Sequence, residues 1–148
     1  MNKLRTFNLS LCIAVMGLMA LGAGVRAMDA GLSCPDWPLC LGQVIPGFQI
    51  QVYFEFIHRV MAGSISIVFA VFSFLVLRSP AIPTRIKYML PLAWILLLAQ
   101  IVMGGLTVLL KLHFSTVTSH LMLGLSFFST LWWIYLSISN LNTKPLHD

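Results

Sequence analysis

Charge is scarce in this sequence. Asp, Glu, Lys and Arg together make up 9% of its 148 positions, and only 4 residues are acidic, whereas charged residues are roughly a quarter of a typical soluble protein. With 59% hydrophobic residues and a mean hydropathy of +0.93, this shortage excludes a soluble globular domain, and with it a soluble catalytic domain. Any chemistry must lie in a helix bundle or in its loops. The net charge of +5 does not indicate a nucleic-acid partner. The basic residues fall between apolar blocks, where they read as topology signals. Cysteine is also sparse: there are 3, with no CxxC pair.

What is abundant is long apolar sequence. Four blocks, at about 7–25, 52–77, 88–110 and 116–138, are each long enough to cross a hydrocarbon core of about 30 Å. The first block follows Lys3 and Arg5 and precedes Val25-Arg26-Ala27, which also fits a cleaved signal peptide. Its length, however, exceeds the roughly 7 to 15 residues of a signal h-region. Ala20 and Gly24 form a small-xxx-small pair suited to close helix packing, and Cys12 reads as small apolar filler. Residues 26–51, with Pro35, Pro38 and Pro46, form the one sizeable loop. Arg78, Pro80, Pro83, Arg85 and Lys87 make a short basic connector, Lys111 to Phe114 a tight turn, and Ser115 a helix N-cap. Trp132, Trp133 and Tyr135 suit a membrane interface. Lys3, Arg5, Arg78, Arg85, Lys87 and Lys144 outnumber Arg26, Lys111 and Arg59 across the membrane. The positive-inside rule therefore places both termini in the cytoplasm and the loop outside. The expected architecture is an all-α membrane protein, one domain over 1–148: a four-transmembrane-helix bundle with one extracytoplasmic disulfide loop.

Polar chemistry concentrates near the outer face. The second and fourth blocks both start there and run in the same direction, with His58 and His120 each about five residues in, roughly 7 to 8 Å along the axis. Two histidines at matching depth on parallel helices suit bis-imidazole heme, one ring nitrogen on each side of the porphyrin. The plain alternative for each is a satisfied packing residue. Glu55 lies three residues before His58 and four before Arg59, so the three share a face. An ionisable carboxyl there is a candidate functional group, or half of an ion pair that only anchors the helix. Arg59 could instead meet a heme propionate. His113, in the turn, reads as structural with a propionate contact as its alternative, and His147 is discounted. Cys34 and Cys40, in an oxidising compartment, are expected to be disulfide-bonded, either to shape the loop or for a redox role. Two thiolates without a nearby histidine make a weak zinc site.

The segments AGLSCPDWPLCLGQVIP, EFIHRVMAG, AQIVMGGLTV and TSHLMLG resemble the heme A synthase family of bacterial and mitochondrial membranes over nearly the whole chain. The resemblance implies a bundle holding heme between His58 and His120 as axial ligands of the iron, with Glu55 the essential carboxylate and Cys34 and Cys40 the paired cysteines of the outer loop. It implies oxidation of heme O to heme A, a porphyrin methyl becoming a formyl group, in support of cytochrome oxidase assembly, with heme b as cofactor. It also implies a bacterial plasma membrane location and, as possible partners, a heme O synthase and an electron donor. Typical members have two similar four-helix halves and this chain matches one, so a homodimer or a second half-length subunit is expected to complete the site. Residues Met28 to Gly31 depart from the family's usual turn. Alternatives are a non-catalytic heme-binding assembly factor, a membrane b-type cytochrome and a purely structural membrane subunit. A quinone-linked thiol oxidase fits less well, because those enzymes need a CxxC pair and a second relay pair.

Overall fold

The computed structural model describes residues 2–143; Lys144 and His147 lie outside the described residues. Four helices in it are long and apolar enough to cross a membrane. Helix α1 spans Asn2–Ala27, α2 Ile50–Arg78, the single turn α3 Thr84–Lys87, α4 Met89–Leu109 and α5 Phe114–Thr143. Helix α1 begins ahead of its uncharged run because no breaker separates Lys3 and Arg5 from it. Helix α2 stops where Ser79 turns extended, at φ −80° and ψ 118°, as the residue before Pro80 must. Pro91 falls in the first turn of α4, where its missing N–H costs nothing.

Helices α1 and α4 end in the same way. The N–H of Asp29 donates to the Arg26 carbonyl and that of Ala30 to the Val25 carbonyl. In α4, the Lys111 N–H donates to Val108 and the Leu112 N–H to Thr107. Both are Schellman closures, and their left-handed residues are Asp29 (φ 50°) and Lys111 (φ 50°). Aspartate tolerates that conformation better than most residues, so Met28 to Gly31 turns without a glycine at the left-handed position.

The start of α5 differs from the expected Ser115 cap. The helix begins at Phe114, and the cap is His113, whose Nδ1 accepts a hydrogen bond from the Ser115 N–H at 3.4 Å. The imidazole nitrogen thus takes the place of the usual cap oxygen.

Helix α1 packs against α2 and α5, and α5 packs against α4. Helix α2 stands apart from α4 and α5 along most of its length. Phe69 bridges the gap: its ring meets Trp94 of α4 at 5.0 Å and Phe127 of α5 at 5.4 Å. The apolar core around Phe69, Phe72, Leu131 and Ile134 fills the half of the bundle remote from the loop, while Ile13, Ile67 and Ile95 face outward, as lipid-exposed positions of a membrane bundle do. This multi-pass bundle leaves its loop end for polar side chains.

Candidate functional site

Two layers of polar residues occupy the loop end. The upper layer joins the loop to α2. Cys34 and Cys40 form a disulfide with a Cα–Cα distance of 4.6 Å, and both residues are buried. Glu55, also buried, accepts the Cys34 N–H through Oε2 at 2.9 Å and forms an ion pair with Arg59 through Oε1. The Arg59 Nη2 also donates to the Cys34 carbonyl at 2.7 Å, and Nη1 donates to the carbonyls of Asp36, at 2.6 Å, and Leu39. The guanidinium fork thus gathers three loop carbonyls and one carboxylate, a geometry lysine cannot reproduce. Asp36 folds the loop tip by accepting the N–H groups of Leu41 at 2.6 Å and Gly42 at 2.8 Å. The Gly42 bond is the main reason its carboxyl is held below the usual carboxylate range, with Leu41 and the Arg59 charge adding to it. The ion pair, read from sequence as an alternative that would only anchor the helix, is also the clasp of the disulfide loop.

The lower layer holds the histidines. Helix α2 starts at Ile50 rather than near Tyr53, so His58 lies about 12 Å and His120 about 9 Å along their helices, at 1.5 Å per residue. Counted from the helix starts the two depths are therefore unequal, and what the rings share is the position of the glycine each lies on. A Cβ built on Gly22 of α1 would come 3.0 Å from His58 Cε1, and one on Gly104 of α4 would come 3.1 Å from His120 Cε1. Each glycine sits five residues before its helix ends, at Ala27 and Leu109. The same spacing separates Leu18 from Gln100, Gly22 from Gly104 and Asp29 from Lys111, so α1–α2 and α4–α5 are two versions of one helix pair. The neighbouring Gly105 serves the upper layer, since a Cβ there would come 3.1 Å from Trp37 Cδ2. The glycine pair thus admits two rings, His120 from α5 and Trp37 from the loop.

The His120 Nδ1 meets the Gln100 carbonyl at 3.1 Å, and a carbonyl only accepts, so Nδ1 carries the proton and Nε2 a lone pair. This is the tautomer a metal-ligating histidine uses. The His58 Nδ1 is buried without a hydrogen-bond partner. Among the described residues no three His, Cys, Asp or Glu side chains converge on a metal ion. Two imidazoles do suffice for a porphyrin, which brings four nitrogens of its own. The separation of α2 from α4 and α5 along most of its length, the tautomer of His120 and the unpaired His58 Nδ1 fit heme held by His58 and His120. His113 is spent on its cap, and Cys12 lies in the core remote from the site, its Sγ 3.5 Å from Asn8 Oδ1.

Sequence reasoning passed over Gly22, Leu18 and Gln100 as site components. The equal spacing of Leu18–Gly22 and Gln100–Gly104 was the available signal. Because a methyl at either glycine would push a ring aside, Gly22→Ala and Gly104→Ala are each expected to cost about 1 kcal/mol by overpacking. Gly63→Ala, with open space around it, is expected to be neutral or slightly stabilising. Thermal melts in detergent check all three.

The chain is similar to known proteins. The family model for the cytochrome oxidase assembly protein COX15-CtaA matches residues 5–52 and 47–148. A heme A synthase of Shewanella oneidensis is 34% identical over 137 residues, 80% of this chain and 41% of that protein. Heme A synthases of Rhizobium rhizogenes (32% identical, 73% of this chain and 33% of that protein) and Macrococcus caseolyticus (29%, 93% and 46%) are also similar. The chain spans less than half the length of each of these relatives. With a matching family model over nearly all of its length, the chain belongs to the COX15-CtaA family of cytochrome oxidase assembly proteins.

Proposed function

We propose that this chain is an oxidoreductase of heme A biosynthesis that converts heme O to heme A, in support of cytochrome oxidase assembly. The observation that carries this reading is the pair His58 and His120, each seated on the equivalent glycine of its neighbouring helix. His58 and His120 would hold a heme iron. Heme b would supply electron-transfer chemistry when bound, and heme O would be the substrate, its methyl oxidised to a formyl group with oxidant and electron carrier coming from outside the chain. Gly22 and Gly104 let the rings lie flush, and the Gln100 carbonyl orients one of them. Glu55 and Arg59 hold the disulfide loop down at this end of the bundle, which limits the entry of water to the site. Glu55 is the carboxylate of the chemistry, its two oxygens held by Arg59 and the Cys34 N–H.

The membrane is the bacterial plasma membrane, with both termini cytoplasmic and the Cys34–Cys40 loop outside, where disulfides persist. A second copy of the chain, or another half-length subunit, supplies the second heme position that a single histidine pair cannot provide. The test is heme extraction from the chain purified from cells that also make heme O. Heme A in the extract is the expected result. Heme b alone, with oxygen and heme O plentiful, would instead favour a heme-binding assembly factor.

A further inference from the structure

One residue brackets both nitrogens of His120. The Gln100 main-chain carbonyl lies 3.1 Å from Nδ1, and its side-chain Nε2 lies 3.3 Å from His120 Nε2. Nδ1 holds the proton, so Nε2 is the acceptor and the Gln100 amide is the donor. That is the same lone pair an iron would use. The carboxamide has room there because of Gly124, one turn beyond His120: a Cβ on Gly124 would come 3.1 Å from Gln100 Nε2. The other end of the carboxamide is left in poor company, since Gln100 Oε1 is buried with no hydrogen-bond partner. An amide held by one nitrogen with its oxygen unpaired is a strained compromise. In the other helix pair the equivalent position is Leu18, whose side chain has no donor, and there the His58 ring has no latch.

We infer that Gln100 is a positioning residue with two opposed functions toward His120. Its carbonyl fixes the tautomer that exposes the Nε2 lone pair, and its carboxamide covers that lone pair until a porphyrin iron displaces it. The two ligands are therefore inequivalent, with His58 open and His120 latched, and His120 binds second. This inference rests on the reading of His58 and His120 as heme ligands.

The experiment mixes the full chain, heme-free in detergent, with hemin and follows the absorbance change to the low-spin spectrum. In Gln100→Leu, which places Leu18's residue in the latch position, the amide is gone and the carbonyl remains. The rate of low-spin formation and the affinity for hemin are expected to rise about 3- to 10-fold, the worth of one hydrogen bond, with the final spectrum unchanged. Gln100→Met serves the same purpose should the leucine variant not fold. Nitrogen-15 NMR of histidine-labelled, heme-free protein is expected to show His120 protonated at Nδ1 in wild type and variant alike. Unchanged or slower low-spin formation in the variants, or a proton on Nε2, would overturn the role of Gln100 while leaving the heme reading intact. A wild-type chain that gives no low-spin spectrum at all would overturn the heme reading and this inference together.

Discussion

Replacement of His58 or His120 by alanine is expected to abolish low-spin heme, each alone as completely as both together. A bis-imidazole site has no spare ligand, and among the described residues no other His, Cys, Asp or Glu cluster offers one. The affinity for hemin is expected to fall by more than the roughly 10- to 100-fold that loss of a mere outer partner costs a metal site. His113→Ala is the control. Its imidazole is occupied at the N-terminus of α5 by the Ser115 N–H, so the variant is expected to keep its heme and to lose about 1 kcal/mol of stability as a missing cap. Optical titration with hemin and a thermal melt of the same samples separate these outcomes. Retention of a full low-spin spectrum in either His58→Ala or His120→Ala would refute the site.

The second large effect is expected at Arg59. Its guanidinium is the common partner of the Glu55 carboxylate and of the Cys34, Asp36 and Leu39 carbonyls, and the side chains of the ion pair are only 14% and 6% exposed. Arg59→Ala would leave a buried carboxylate uncompensated, a loss of about 3 to 5 kcal/mol. Arg59→Lys is expected to recover only part of it, because one ammonium cannot span three carbonyls and a carboxylate. The disulfide gives a second readout. Cys34 and Cys40 are 0% and 2% exposed, so a thiolate can reach the bond only when the loop lifts. Reduction by dithiothreitol is expected to be slow in the wild-type chain and much faster in Arg59→Ala, measured by alkylation of the released thiols. Equal reduction rates would mean that Arg59 does not clasp the loop.

The hydrophobic periods determined the four spans and the loop between the first two, because a block long enough to cross a bilayer leaves the backbone little choice but helix. The cysteines, Glu55, Arg59 and both histidines were also legible, since ionisable or sulfur-bearing side chains stand out in so apolar a chain. Helix ends were less so. Asp29 and Lys111 adopt left-handed closures that no glycine announced, and a histidine replaced serine as the cap of α5.

What a residue touches was decided by the tertiary structure alone. Arg59, for which the sequence left open an ion pair with Glu55 or a propionate contact, is turned toward the loop, where three carbonyls converge on it. Gly22, Gly104 and Gln100 matter only through rings that belong to other helices. Local sequence determines whether a segment is helical and which face is apolar, through interactions a few residues apart. The meeting of His58 with Gly22, or of His120 with Gln100, depends on how two helices pack, and that is settled by the volumes of side chains far apart in the chain.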